Sequence, residues 1–487
     1  MNGFNKMLCF GRAVILSDAD DITAGNVVEE LQTAFITHMK NRSEIEYLWN
    51  YYLGRQPILG KEKKVREEIN EKIVQNYANA IVSFKVGQLA GKPIQYISSS
   101  KDESVSDVIT ELNDMMRVEG KVTRDRELVE WQMICGTGYR LAFPKRQRAD
   151  VPFSLYTLDP RNAFVVYAND YTRRPLMAVS YKTLLAPANY SADGHAIGPN
   201  VYTIYTDRNI FTVRDGALTG VSVNPLGIIP IIEYPANTAR LGAFEIALDL
   251  LDSINELDSN RLDSLRQFVE SLLVLYNCDL EEGTTAESIR EAGMILLKSV
   301  GDQNPDVKVI SEVLSQNDNE TLKKSLIHAL NVIVGMPSQG SGNTGDSSNN
   351  GAVILRDGWQ GAETRAEEFE AMFHEPEMQT LRVVNVICSS QGALEFNPKD
   401  IEIKFTRRNY EDILSKSQTL VTMLGQDKIH PRSAFEASSL FVDTEEAYRL
   451  GMQWYEQQKR EEKERMKNAA ELGQAESNPN EDREPDD

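Results

Sequence analysis

Few residues in this chain are spaced for chemistry, and those that are lack the surroundings the chemistry needs. Gly340-Ser-Gly342-Asn-Thr-Gly345 matches G-x-G-x-x-G letter for letter. A dinucleotide site needs a strand before the first glycine and a helix N-terminus at the third, where the pyrophosphate sits. Here a helical pattern comes first, and six polar or glycine residues separate Gly345 from Ala352. Gly54 to Lys61 has the outline of a phosphate loop, but five residues separate its glycines and Glu62 stands where Ser or Thr would hold magnesium. His374-Glu-Pro-Glu377 lacks the second histidine of a metalloprotease helix. The five histidines are scattered, and no acidic pair stands out as an acid/base dyad. Cys9, Cys135, Cys278 and Cys388 have neither disulfide nor zinc spacing. No catalytic, cofactor or metal site is expected, and the chain reads as something other than an enzyme.

Charge narrows the class. Asp and Glu number 73 against 52 Lys and Arg, a formal net charge of −21. A protein that grips nucleic acid releases phosphate counterions with clustered basic residues, and this chain has the opposite balance. It still suits a protein past which DNA must slide. No apolar run approaches the ~20 residues of a membrane helix. The broken apolar stretch of MNGFNKMLCFGRAVILSDADD makes a poor signal peptide. A soluble protein of a reducing, intracellular compartment is expected.

Position must therefore come from the elements. The stretch from Asn331 to Phe373 holds a Gly/Ser/Asn-rich segment, Gly335 to Gly351, between two helical patterns. Such a segment buries too little apolar surface to offset its ordering entropy and should be mobile alone. After it, Trp359, Ala362, Ala366, Phe369 and Phe373 keep one helical face to about Ile387, with kinks expected at Gly358, Gly361 and Pro376.

Elsewhere, residues 1–25 are expected to be loosely attached. Ile22–Met39 reads as helix, with His38 packing and not ligating. Tyr47–Leu59 reads as aromatic and turn-rich, Lys61–Lys72 as charged helix, and Ile73 onward as a helix ended by Gly91 and Pro93 before a strand at 94–98. Helices at 104–119 and 122–135 lead into a strand at 139–143. Five short β-branched or aromatic runs follow, at 153–158, 163–167, 175–182, 201–206 and 209–214, and 227–234 closes an antiparallel sheet. Residues 240–276 form the longest helical pattern, roughly 55 Å if unbroken. Its polar face carries Asp249, Asp252, Asn255, Asp258, Ser259 and Asp263. So long a helix suits packing beside copies of itself. An insert follows, with a helix near 285–292 and strands at 294–298 and 307–310, then a helix over 317–334. Strands are expected at 394–397 and 401–406, three helices between 410 and 466, and a disordered acidic tail from 471.

Three blocks together resemble the portal proteins of tailed phages, in the family typical of long-tailed phages of Gram-positive bacteria. They are Asn76-Tyr-Ala…Ile81-Val…Gly91-Lys-Pro-Ile94-Gln-Tyr96; Gly227-Ile-Ile-Pro-Ile-Ile-Glu-Tyr234 with the helix carrying Glu245, Asp252, Asn255, Asp263 and Phe268; and Val334-Gly-Met-Pro-Ser-Gln339 with the Gly-rich segment and Arg356-Asp-Gly-Trp359. The resemblance implies a mainly helical α+β fold assembled as a ring of twelve around a channel for double-stranded DNA. It assigns 1–238 to the wing, 239–273 and 317–335 to the two stem helices and 274–316 to the clip. Residues 336–352 become the tunnel loop, 353–407 the long kinked helix and return to the wing, 408–468 the crown and 469–487 the acidic tail. It also implies partners: the terminase large subunit, then a head-tail adaptor, with major capsid and scaffolding proteins around the ring at a capsid vertex.

On that reading Ser338, Gln339, Gly340, Asn343, Asp346, Asn349 and Asn350 line the channel. Phe244, Leu251, Phe268, Trp359 and Phe369 pack between subunits. The loop carries one charge, Asp346, and no Lys or Arg, which favours a compliant low-friction lining over a grip. The rival reading is an acidic helical ring-forming scaffold or minor head protein through which no DNA passes.

Overall fold

The computed structural model describes residues 9–63, 67–99, 102–145, 150–184, 198–269, 272–276, 278–280, 297–299, 306–310, 316–337, 359–406, 413–438, 440–441 and 444–476. The fold is mixed α+β. The described part of the N-terminal stretch, from residue 9, is not loose. Strand β1 (Ile15–Ser17) runs parallel to Ala163–Ala168, and Arg12 is buried between Glu245 and Glu44, 2.5 and 3.0 Å away. Helix α1 (Val27–Tyr52) absorbs the aromatic stretch expected to turn, because Tyr47, Leu48 and Tyr51 fall on its buried face. His38 packs as expected: its ring stacks 4.3 Å from Phe164, and burial with the nearby Arg42 charge lowers it to about 4.

Helix α2 (Tyr77–Leu89) starts late, at the Asn76 cap whose side chain accepts from the Asn79 amide. The expected helix over 61–72 does not form among its described residues: 67–69 turn, and 70–76 run on without helix or strand pairing. Strand β2 (Gln95–Ser98), α3 (Glu103–Val118) and α4 (Lys121–Cys135) follow. Gly136 ends α4 at φ +79°, where a Cβ would lie 2.0 Å from the Arg240 carbonyl oxygen.

The next strands are β3 (Thr137–Pro144), β4 (Phe153–Leu158), β5 (Ala163–Ala168), β6 (Pro175–Thr183), β7 (Asn200–Tyr205), β8 (Asn209–Arg214), β9 (Ala217–Val223) and β10 (Ile231–Pro235). They make a six-stranded sheet, β1-β5-β6-β7-β8-β9, antiparallel beyond β1, and a three-stranded one, β10-β3-β4. β9 is an edge strand that the sequence pattern did not mark, since Thr219 and Gly220 interrupt its apolar run. Successive β3 side chains face opposite ways. Tyr139 joins Val165 and Ala178 of the large sheet, whereas Arg140 points at α4 and the long helix described below.

Helix α5 (Leu248–Val269) is 22 residues long, shorter than the 240–276 pattern suggested. Leu272–Tyr276 leaves it as strand β11, paired with β14 (Asp306–Ile310), beside the pair β12 (Cys278–Leu280) and β13 (Leu297–Ser299). The helix expected near 285–292 lies outside the described residues. Helix α6 (Gln316–Val334) returns along α5, and α7 (Trp359–Gln391) runs 33 residues with Pro376 inside it. Residues 394–397 form no strand; β15 (Ile401–Lys404) pairs with β2. Helices α8 (Ile413–Leu424), α9 (Pro431–Ser438) and α10 (Thr444–Glu476) close the chain, and α10 continues into the expected tail. One large core joins α2, α4, α5, α7 and the end of α6; a second lies between α1 and the six-stranded sheet.

Candidate functional site: the roots of the Gly-rich segment

Helix α5 carries its polar stripe inward. Asn255 and Ser259 have no exposed surface, and Asp258 and Asp263 are nearly as buried. The stripe is covered by the strap 67–76, in which the alternate backbone amides of 71, 73 and 75 donate to it. Glu71 N–H donates to Asp263 Oδ1 at 2.6 Å, Ile73 N–H to Ser259 Oγ at 3.0 Å and Gln75 N–H to Asn255 Oδ1 at 2.7 Å. Asn255 Nδ2 donates in turn to Gln56 Oε1, and Lys61 and Lys63 close on Asp263 at 2.8 and 2.6 Å. Burial works against the charge of Asp263, but these two ammonium groups outweigh it and lower its carboxyl. The polar stripe opposite the apolar face is thus occupied by the chain's own strap.

α6 ends where the Gly-rich segment begins. Gly335 sits at φ +66°; its amide donates to the Val332 carbonyl, and the Met336 amide donates to the Asn331 carbonyl at 2.8 Å. This pair of bonds closes a helix around a left-handed residue, which glycine adopts without strain. Trp359 opens α7 on the far side of the segment, its ring 6.0 Å from Phe84. Helix α2 touches both ends: Lys85 Nζ donates to the Gly335 carbonyl at 3.3 Å, and Gln88 Nε2 to the Ala362 carbonyl at 3.2 Å. Burial, with added repulsion from Arg365, lowers the Lys85 ammonium to about 8.

The far half of α7 is fixed by buried charge. Glu377 Oε2 accepts from Arg140 at 2.9 Å and from the Tyr234 hydroxyl at 2.7 Å; Oε1 accepts from the Tyr96 hydroxyl at 2.5 Å and lies 3.0 Å from Lys121 Nζ. Asp125 completes the set, bonded to Lys121 and Arg140. Burial opposes ionisation of Glu377, but Lys121 and Arg140, with the two hydroxyls, hold its carboxyl at about 2. Two cations and two anions balance, as buried ions must. Among the described residues no cluster of three His, Cys, Asp or Glu is placed to hold a metal, and no helix is long and apolar enough to cross a membrane.

A pair of helices around a small β insert, then a Gly-rich segment and a long helix, is the order implied by the portal resemblance. The comparison with protein families decides it: residues 34–472 match the phage portal proteins, SPP1 Gp6-like. The chain belongs to this family. No curated protein matches it.

Within the portal chain, the expected site residues fall into three groups. Ser338, Gln339, Gly340, Asn343, Asp346, Asn349 and Asn350 lie outside the described residues, as does the side chain of Phe268. Phe244, Leu251 and Phe369 are at most 5% exposed within one chain, so they have no surface left for a neighbour. Each fills its own core instead; Phe244 stacks on Tyr51 at 5.8 Å and Phe369 lies 5.8 Å from Phe373. Trp359 is half-buried against Phe84. Lys85, Gln88 and the strap were missed. Their one sequence signal was a lysine on the otherwise apolar face of α2.

Proposed function

We propose that this chain is the portal subunit of a tailed phage, twelve copies forming a ring at one capsid vertex through which double-stranded DNA is packaged, retained and ejected. The match over residues 34–472 carries this reading. In it, 1–238 is the wing, α5 and α6 are the stem, 274–316 is the clip that docks the terminase large subunit and then the head-tail adaptor, 336–352 lines the channel and 408–468 is the crown. Major capsid and scaffolding proteins surround the ring, first in the host cytoplasm and then in the virion. The chain acts as a structural conduit and leaves ATP chemistry to the terminase.

Subunit contacts on this reading pass to apolar side chains that one chain leaves exposed on the stem. Leu265 on α5, Ile246 just before it, and Leu322, Val332 and Ile333 on α6 are each more than a third exposed. Stem helices α5 and α6 already pair within the chain, so these residues form the remaining outer face. Negative-stain electron microscopy of the purified protein tests the proposal. Rings with a bore at least as wide as a DNA duplex support it; monomers, filaments or closed discs overturn it.

A further inference from the structure

Three helices meet at Gly335. It is the left-handed residue that closes α6, α7 lays Arg365 across it, and α2 caps its carbonyl with Lys85. A Cβ on Gly335 would lie 2.5 Å from Arg365 Cδ, which measures how closely α7 crosses. One turn along α2, Gln88 holds the Ala362 carbonyl on the other root. A single helix of the N-terminal half therefore grips both ends of a segment more than 240 residues away in sequence.

Lys85 is an unusual choice for that grip. It is 8% exposed and shares its helix face with Ile81, Val82, Val86 and Leu89, all buried. An apolar side chain would pack there without the desolvation cost of an ammonium group. Every other buried cation described above faces a carboxylate: Arg12 has Glu245, Lys121 has Asp125, and Arg140 has Asp125 and Glu377. Among the described residues no carboxylate pairs with Lys85 or Arg365. What Lys85 meets is the carbonyl end of α6, where the partial negative charge of a helix C-terminus favours a cation. Its lowered pKa agrees with a charge held in place without an anionic partner.

We propose that Lys85 is a positioning residue for the helix ends that flank the Gly-rich segment: together with Gln88 it ties the close of α6 and the first turn of α7 to α2, so that α2 sets how far apart these two ends are held. The tie is made within one chain, so it stands or falls separately from the ring and the DNA channel.

Hydrogen exchange on the assembled full-length protein tests this, comparing Lys85→Met, Lys85→Arg and Gln88→Leu with wild type. A hydrogen bond to a charged group is strong enough that its loss should speed exchange roughly tenfold or more in peptides covering 331–336 and 360–366. Peptides from β5 and β6 should stay unchanged, and Lys85→Arg, which restores a donor, should recover slow exchange. Gln88→Leu should speed 360–366 alone, and it carries the test if Lys85→Met does not fold. Wild-type exchange at both roots in Lys85→Met and Gln88→Leu overturns the proposal. So does a uniform rise across all peptides, because that reports general destabilisation.

Discussion

Replacing Glu377 by Gln should be among the most damaging single changes in this chain. The carboxylate accepts from four donors on four elements: Tyr96 of β2, Lys121 of α4, Arg140 of β3 and Tyr234 of β10. An amide in its place turns one oxygen into a donor facing donors, and leaves Lys121 and Arg140 with only Asp125 as a buried anion. Two routes give the magnitude. Breaking a buried pair on one side costs about 3–5 kcal/mol. Holding a carboxyl at about 2 instead of its ordinary 4.5 corresponds to about 3 kcal/mol. The sign follows from the direction: the folded group loses its proton more readily than the unfolded one. Its contribution is therefore complete above 4.5 and disappears as pH falls from there toward 2. Urea unfolding at fixed protein concentration, followed by tryptophan fluorescence at pH 7 and at pH 3, would measure both. The variant should lose about 3–5 kcal/mol at pH 7 and much less at pH 3. A loss under about 1 kcal/mol at pH 7, or a loss that does not shrink with acid, would refute the reasoning.

Two further changes probe the site. Gly335→Ala forces a left-handed alanine and a collision with Arg365; it should cost about 1–2 kcal/mol, and adding Arg365→Ala should recover the steric share but not the backbone share, as read by thermal unfolding of both variants. Asn255→Ala strips an acceptor from the Gln75 amide and a donor from Gln56 Oε1 in a fully buried position; about 2–3 kcal/mol should be lost, and proteolysis between residues 61 and 76 should accelerate.

The sequence disclosed elements wherever local pattern and burial agreed. The β-branched or aromatic runs of β4 to β8 are short and bounded by turn residues, and α6 keeps one apolar face, so each lies within a residue or two of expectation. It misled where composition imitates another state. The strap is rich in Lys and Glu, which favour helices, yet its backbone is claimed by α5 from 180 to 192 residues away. Leu272–Tyr276 is a short apolar run that periodicity cannot assign. The roots of the Gly-rich segment were visible as a helix stop at Gly335 and an anchor at Trp359. Their grip by Lys85 and Gln88 was not, because nothing local to α2 says which distant carbonyls it will meet. The Glu377 network was hidden for the same reason; only the four-residue spacing of Lys121 and Asp125 hinted at it.

The strap on α5 has a further consequence, which is metrical. Four residues of helix advance about 6.0 Å and two residues of extended chain about 6.6 Å, so the two repeats run almost in step. Asn255, Ser259 and Asp263 meet residues 75, 73 and 71 on that near-coincidence. After two such intervals the scales differ by about 1 Å. Just there backbone amides give way to the long, adjustable ammonium groups of Lys61 and Lys63. The strap and helix thus behave like the two scales of a vernier, legible over a few divisions only. A single-residue insertion between 71 and 75 would turn every later amide away from the helix, whereas an insertion of two would only slide the reading by one mark.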